Sequence, residues 1–194
     1  MTGGIGVGKS AVAEVLGRGG AHVISADDIG HEVLREDRQV QKALVEAFGP
    51  EVIGPGGQPD RMFIGEKVFG NHDALARLNR IVHPPLLERL RSRIDAARHD
   101  PAVRLIVVDA ALITEWGIED WFDLLILVTA PEDQVRARLR TKGLTDEQIN
   151  RRIASQLPEA ARRREPDIVV RNDGDRRKLE SLVEHVMREL VERG

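Results

Sequence analysis

The chain has no cysteine and no tyrosine, and its only aromatic residues are four phenylalanines and two tryptophans in 194 residues. Without a thiol it can form no disulfide and offers no thiolate as nucleophile or metal ligand, so any metal it holds is bound through oxygen or imidazole. Few rings leave few platforms for stacking bases, and a net charge of −3 gives no general attraction to nucleic acid or to an acidic membrane surface. Neither partner is expected, and nothing in the pattern marks an obligatory protein partner. No apolar run approaches the length of a membrane span or a signal-peptide core, which points to a soluble, cytoplasmic protein. What is abundant is charge, at 31% of residues, beside 41% hydrophobic residues. That is enough for one sizeable core and short for two independent domains, so a single domain over residues 1–194 is expected. The charge is unevenly spread: residues 136–178 hold eleven Arg and two Lys against seven acidic residues, a net +6. Such a stretch either faces phosphates or forms a solvated helix face.

Residues 9–16, with Val12, Val15 and Leu16 before Gly17, Gly19 and Gly20, read as a short helix with a glycine stop. AHVISA at 21–26 reads as a buried strand. Helical patterns follow at 28–35 and 40–48, then a Gly/Pro-rich loop over 49–60, then further helix to about residue 99, interrupted at Pro84-Pro85. RLIVVD at 104–109 and DLLILVT at 123–129 are continuous apolar runs of the kind that lie in a parallel sheet covered on both faces, and DIVVR at 167–171 is a third. The tail, 175–193, is an amphipathic helix carrying Leu179, Leu182, Val183, Val186 and Leu190. Strands alternating with helices predict an α/β protein with a mostly parallel sheet.

Gly3-Gly4-Ile5-Gly6-Val7-Gly8-Lys9-Ser10 fits G-x-x-x-x-G-K-[ST] and is followed at once by a helical pattern. In this loop glycines let successive backbone N–H groups curl around a phosphate without Cβ obstruction. Lys9 would reach the β- and γ-phosphates, and the Ser10 hydroxyl would ligate Mg²⁺. The first helical turn adds its unpaired N–H groups and dipole. The candidate ATP-binding residues are Gly4, Ile5, Gly6, Val7, Gly8, Lys9, Ser10 and Ala11. A phosphate loop is delivered by a strand immediately before it, yet only Met1 and Thr2 precede Gly3. Losing five or six buried strand residues, at roughly 1.5–3 kcal/mol for each large side chain, rivals a whole domain's stability of about 5–15 kcal/mol. The leading strand is thus missing, and the natural chain is expected to start several residues earlier.

Asp27 lies just past the strand at 21–26, at the carboxyl end that faces the ligand crevice in open α/β sheets. There it would accept the proton of an attacking hydroxyl as general base, whereas Asp28 serves as a helix cap. Asp109 closes an apolar strand in the manner of a Walker B element and either holds Mg²⁺ or is a strand-end turn residue. His31 falls one helical turn beyond Asp27, which would turn it to the same cleft as a candidate substrate contact, and His83, before Pro84, either contacts substrate or finishes a helix. Arg136 and Arg140, spaced i,i+4, place two guanidinium groups on one helix face where they can clamp phosphates. Trp116 and Trp121 fit packing or a loop anchor better than a cofactor box. Asp27-Asp28-Ile29-Gly30 matches the D-x-x-G of regulatory GTPases, but no N-K-x-D segment accompanies it to read guanine.

Together these residues resemble the dephospho-coenzyme A kinase family. The phosphate loop from Thr2 to Ser10 resembles the family's own, and Val23-Ile24-Ser25-Ala26-Asp27 through His31-Glu32-Val33 resembles the segment carrying its catalytic Asp. His83-Pro84, DAALITE at 109–115, Arg152-Ile153 with Gln156, and Asp167-Ile168-Val169-Val170 with Asn172 and Gly174 occur in the family's order over essentially the whole chain. The resemblance implies a P-loop NTP hydrolase-like three-layer fold. Its nucleotide core would cover about 1–28, 101–139 and 160–194, with substrate-binding helices over about 29–100 and a lid over about 140–160. It also implies the reaction, in which Mg·ATP phosphorylates the ribose 3′-hydroxyl of dephospho-coenzyme A. Asp27 would be the base, Lys9 and the loop amides would stabilise charge on the transferring group, and Mg²⁺ would bridge the phosphates. Ser25, Ala11 and Ala111 stand where Asp, Thr and Pro are common in the family, and Ala137 and Thr141 where lid arginines are expected. Arg136, Arg138 and Arg140 lie alongside. Competing readings are another small P-loop kinase acting on a nucleoside or nucleotide, and a nucleotide-binding switch that transfers no phosphate.

Overall fold

The computed structural model describes residues 1–156 and 165–193, the side chains of 191–193 excepted. In chain order the helices and strands are α1 (Lys9–Arg18), β1 (His22–Ser25), α2 (Ala26–Glu36), α3 (Arg38–Phe48), α4 (Arg61–Val68) and α5 (His72–Arg98). They continue with β2 (Ile106–Asp109), α6 (Ile113–Trp116), β3 (Ile126–Thr129), α7 (Glu132–Thr141), α8 (Asp146–Ala154), β4 (Ile168–Arg171) and α9 (Arg176–Arg193). The chain divides into two compact units, Met1–Ser25 with Ile94–Gly194, and Ala26–Arg93. The far end of the expected lid, 157–160, and the start of the last expected core segment lie outside the described residues.

In the first unit all strand pairings are parallel. β1 pairs with β2, from His22 with Ile106 to Ser25 with Asp109, and β3 pairs with β4, from Ile126 with Ile168 to Thr129 with Arg171. Met1 and Thr2 stand between the two pairs, in the place of the strand expected ahead of the phosphate loop. The Met1 amine donates to Val108 O at 2.8 Å, and Ala110 N donates back to Met1 O at 3.1 Å. Thr2 N donates to Ile126 O and Val128 N to Thr2 O, at 2.8 and 2.9 Å. Two residues thus complete both ladders, and the order across the sheet is β1, β2, residues 1–2, β3, β4. Because every segment runs the same way, Gly3, Asp109, Thr129 and Arg171 all arrive at one edge.

The core of this unit is built from Val107, Ile126, Val128 and Val170 on the strands and from one face of each flanking helix. α1 contributes Val12, Val15 and Leu16, and α9 contributes Leu179, Val183, Val186 and Leu190, the spacing that puts one apolar stripe on a helix. The observed strands are four residues each, shorter than the apolar runs that predict them. Leu124 and Leu125 precede the ladder and are held differently, with Leu125 N bonded to the Asp167 carboxylate at 2.7 Å.

In the second unit α2, α3 and α4 bury Ile29, Val33, Val40, Leu44, Ile64 and Val68. Asp37 and Asp60 cap α3 and α4, each accepting two backbone N–H bonds. The loop over 49–60 contains a 3-10 turn, Pro50–Val52, and a bridge from Ile53 to Pro59 that returns the chain to α4. The interruption expected at Pro84-Pro85 does not occur, since α5 runs through both prolines. Proline removes one i→i−4 bond and crowds one carbonyl. Here Leu86 and Leu90 bury one face of the helix immediately beyond, holding its direction through the defect.

Candidate active site

The residues after Thr2 turn through Gly3-Gly4-Ile5-Gly6-Val7-Gly8 into α1, whose N-cap is Gly8 in the left-handed region at φ 98°. A side chain there would meet both that backbone penalty and the carboxamide of Asn172, 2.2 Å from an added Cβ. At Gly3 an added Cβ would stand 2.3 Å from the Val128 carbonyl oxygen, so close passage beside β3 also demands glycine. The loop is held from three directions. Asn172, buried just past β4, donates from Nδ2 to Val7 O at 2.8 Å. Arg138 on α7 donates from Nη1 to Val7 O and from Nη2 to Asn172 O, both at 3.1 Å. Gln156, two residues beyond α8, accepts from Ile5 N at 2.9 Å through Oε1. Lys9 folds back along the loop, with Nζ 3.1 Å from Gly3 O and 3.3 Å from Gly4 O.

Asp109 ends β2 at the same edge. Ser10 is exposed in the first turn of α1. A small cleft beside the loop is lined by Thr2, Gly3, Gly4, Thr114, Glu115 and Gln156.

Arg136 and Arg140 point elsewhere in this structure. Arg136 pairs with Glu132 and donates to Asn150 Oδ1, each at 2.8 Å, and Arg140 pairs with Asp146 at 2.8 Å. The α7 arginine at the loop is Arg138, which the i,i+4 spacing argument leaves between its chosen pair. The readable signal is the buried stripe of α7: Val135 and Leu139 face the core, and residue 138 falls on that same face. Val135 and Leu139 also crowd Gly6, where an added Cβ would lie 3.0 Å from each, so α7 forms a wall of the loop.

In the second unit Asp27 is exposed in the first turn of α2, and His31 follows one turn later. Burial and then the charge of Arg61 lower the His31 pKa, against the opposing pull of Asp27 and Asp28. His83, within α5 rather than at its end, is half-buried, and burial lowers its pKa too.

A glycine loop entering a helix with Lys and Ser at its lip, at the carboxyl edge of a parallel sheet, defines a P-loop nucleotide-binding α/β protein. Comparison with known proteins narrows the class. The family model described as dephospho-CoA kinase matches residues 1–178. Proteins named dephospho-CoA kinase from Streptomyces avermitilis and Thermobifida fusca are 40% and 38% identical over all of this chain, covering 93% and 96% of their own lengths. Among solved structures, a Thermus thermophilus protein superposes with a TM-score of 0.75 at 30% identity, over 97% of this chain and 95% of its own. The dephospho-CoA kinase from Campylobacter jejuni, 20% identical, shares the fold with a TM-score of 0.66 over 98% of this chain and 95% of its own. The chain belongs to the dephospho-CoA kinase family.

Proposed function

We propose that this chain transfers the γ-phosphoryl group of ATP to the ribose 3′-hydroxyl of dephospho-coenzyme A, giving coenzyme A and ADP, in the cytoplasm. The observation that carries the reading is the complete phosphate loop braced by Arg138, Asn172 and Gln156 within a chain whose full length matches the family.

The backbone N–H groups of Gly4, Gly6, Val7, Gly8, Lys9, Ser10 and Ala11 would cradle the phosphates, Ile5 would line the same loop with its N–H held by Gln156 Oε1, and Lys9 would leave the carbonyls of Gly3 and Gly4 to neutralise charge on the β- and γ-groups. Asp27 would accept the proton as the acceptor oxygen attacks, with the P–O bond to ADP breaking on the opposite side of phosphorus. His31 and His83 would contact the acceptor as neutral imidazoles, the form their lowered pKa values favour at pH 7. Arg136 and Arg140 would reach ATP only after exchanging their present partners, so Arg138 is the α7 residue already placed to steady the loop around it.

The donor set fits Mg²⁺. Among the described residues no three His, Asp or Glu side chains gather around one point, and Mg²⁺ bound with substrate phosphates needs only one or two protein oxygens. The Ser10 hydroxyl and the Asp109 carboxylate are hard donors of that kind. When bound, the ion neutralises charge on the phosphates.

The experiment is ADP release from Mg·ATP with and without dephospho-coenzyme A, beside nucleosides and nucleotides as alternative acceptors. Release that depends on dephospho-coenzyme A supports the proposal, and preference for another acceptor, or slow hydrolysis indifferent to all of them, contradicts it.

A further inference from the structure

The bond between Ile5 N and Gln156 Oε1 reaches from just beyond α8 to the phosphate loop. Ile5 N–H is a donor only, so the contact fixes which end of the carboxamide is oxygen and fixes the amide plane with it. The other end, Nε2, donates to no acceptor among the described residues, although the side chain is partly buried and lines the cleft with Thr2, Gly3, Gly4, Thr114 and Glu115. The position along the loop is also defined. Lys9 Nζ rests on Gly3 O and Gly4 O, and a P-loop lysine serves the β- and γ-phosphates. The limb from Gly3 to Ile5 is therefore the limb nearest the transferring group. Gln156 is on that limb, with Oε1 3.3 Å from where a Cβ of Gly4 would stand.

We propose that Gln156 is a further catalytic residue, anchored by Ile5 N–H through Oε1 and donating through Nε2 to a peripheral oxygen of the γ-phosphoryl group. The inference rests on the phosphoryl-transfer reading above. Gln156 forms no covalent bond and moves no proton. The bond from phosphorus to ADP breaks, the bond to the acceptor oxygen forms, Asp27 takes the hydroxyl proton, and the carboxamide stabilises charge on the group in flight. A donor that is oriented before the substrate arrives loses nothing to reorientation during the reaction, and removing one such donor typically costs about 10²–10³-fold in kcat.

The test compares wild type with Gln156→Ala and Gln156→Met. Affinity for ADP and for the β,γ-imido analogue of ATP is measured by calorimetry, and kcat by acceptor-dependent ADP release. The methionine variant keeps the length of the side chain should the alanine variant fold poorly. The expected result is a kcat lowered about ten- to a thousand-fold, with the ATP analogue weakened several-fold more than ADP. An ATP-analogue-to-ADP affinity ratio equal to wild type overturns the proposal whatever happens to kcat, because a residue that only braces the loop would affect both nucleotides alike. The ratio needs no acceptor, so it remains decisive even if dephospho-coenzyme A proves to be the wrong acceptor, which the wild-type assay alone reports.

Discussion

Asp27 is an exposed carboxylate in the first turn of α2, two positions beyond β1 in the sequence. It takes no part in the hydrogen bonds that brace the phosphate loop, so on the proposed reading its substitution separates chemistry from nucleotide binding. Asp27→Asn is expected to lower kcat by about 10²–10⁴-fold, the range for loss of a general base, and to leave KM for ATP nearly unchanged in steady-state kinetics. The His31 imidazole offers a second check at this scale, since the Arg61 guanidinium is, after burial, the main influence lowering its pKa. Arg61→Gln is expected to move the His31 titration midpoint upward when followed by NMR, and an unmoved midpoint would mean the two groups do not interact. His83 links protonation to stability. Burial lowers its folded-state pKa below the unfolded value near 6.5. The folded protein therefore binds fewer protons than the unfolded chain in that range. The contribution is fully present above the unfolded value and declines as pH falls towards the folded one. Urea midpoints are expected to drop between pH 7 and 5.5, and less steeply in His83→Asn.

At the scale of elements, the loop owes its shape to contacts from distant parts of the chain as much as to its glycines. Asn172 fills the space a Gly8 side chain would need and satisfies the Val7 carbonyl. Asn172→Ala leaves Arg138 as the remaining donor to that carbonyl and is expected to cost about 0.5–1.5 kcal/mol in thermal unfolding, the net worth of one hydrogen bond, together with a raised KM for ATP. Gly8→Ala is expected to lose ATP binding more completely, because it adds the left-handed backbone penalty to the clash. The phosphate loop, the strand at 21–26 and the acid ending β2 are legible in the sequence because each is a local pattern. The braces are not. Arg138 sits between two arginines that look better paired on paper, and only the burial of Val135 and Leu139 selects its face. Gln156 and Asn172 are visible solely as members of a family pattern, since a bond across 151 or 165 residues leaves no periodic trace. α5 is the opposite case, with a strong local signal, two prolines, outweighed by a buried face that continues beyond them.

At the scale of the whole molecule, the parallel sheet brings the phosphate loop, Asp109 and the end of β4 to one edge, and residues 1–2 join its two halves. The alternation of strands and helices predicts this class of fold. The division into Met1–Ser25 with Ile94–Gly194 and Ala26–Arg93 puts Asp27, His31 and His83 in one unit and the phosphate loop in the other. The most direct measurement is the fate of the phosphoryl group when this chain is incubated with Mg·ATP and dephospho-coenzyme A, followed by ³¹P NMR of the purified product. A new monoester signal at the ribose 3′ position, appearing in step with ADP and absent in Asp27→Asn, is the expected result. Inorganic phosphate in place of that monoester, or ADP formed at the same rate without acceptor, would contradict the assignment of this chain as an acceptor-specific kinase.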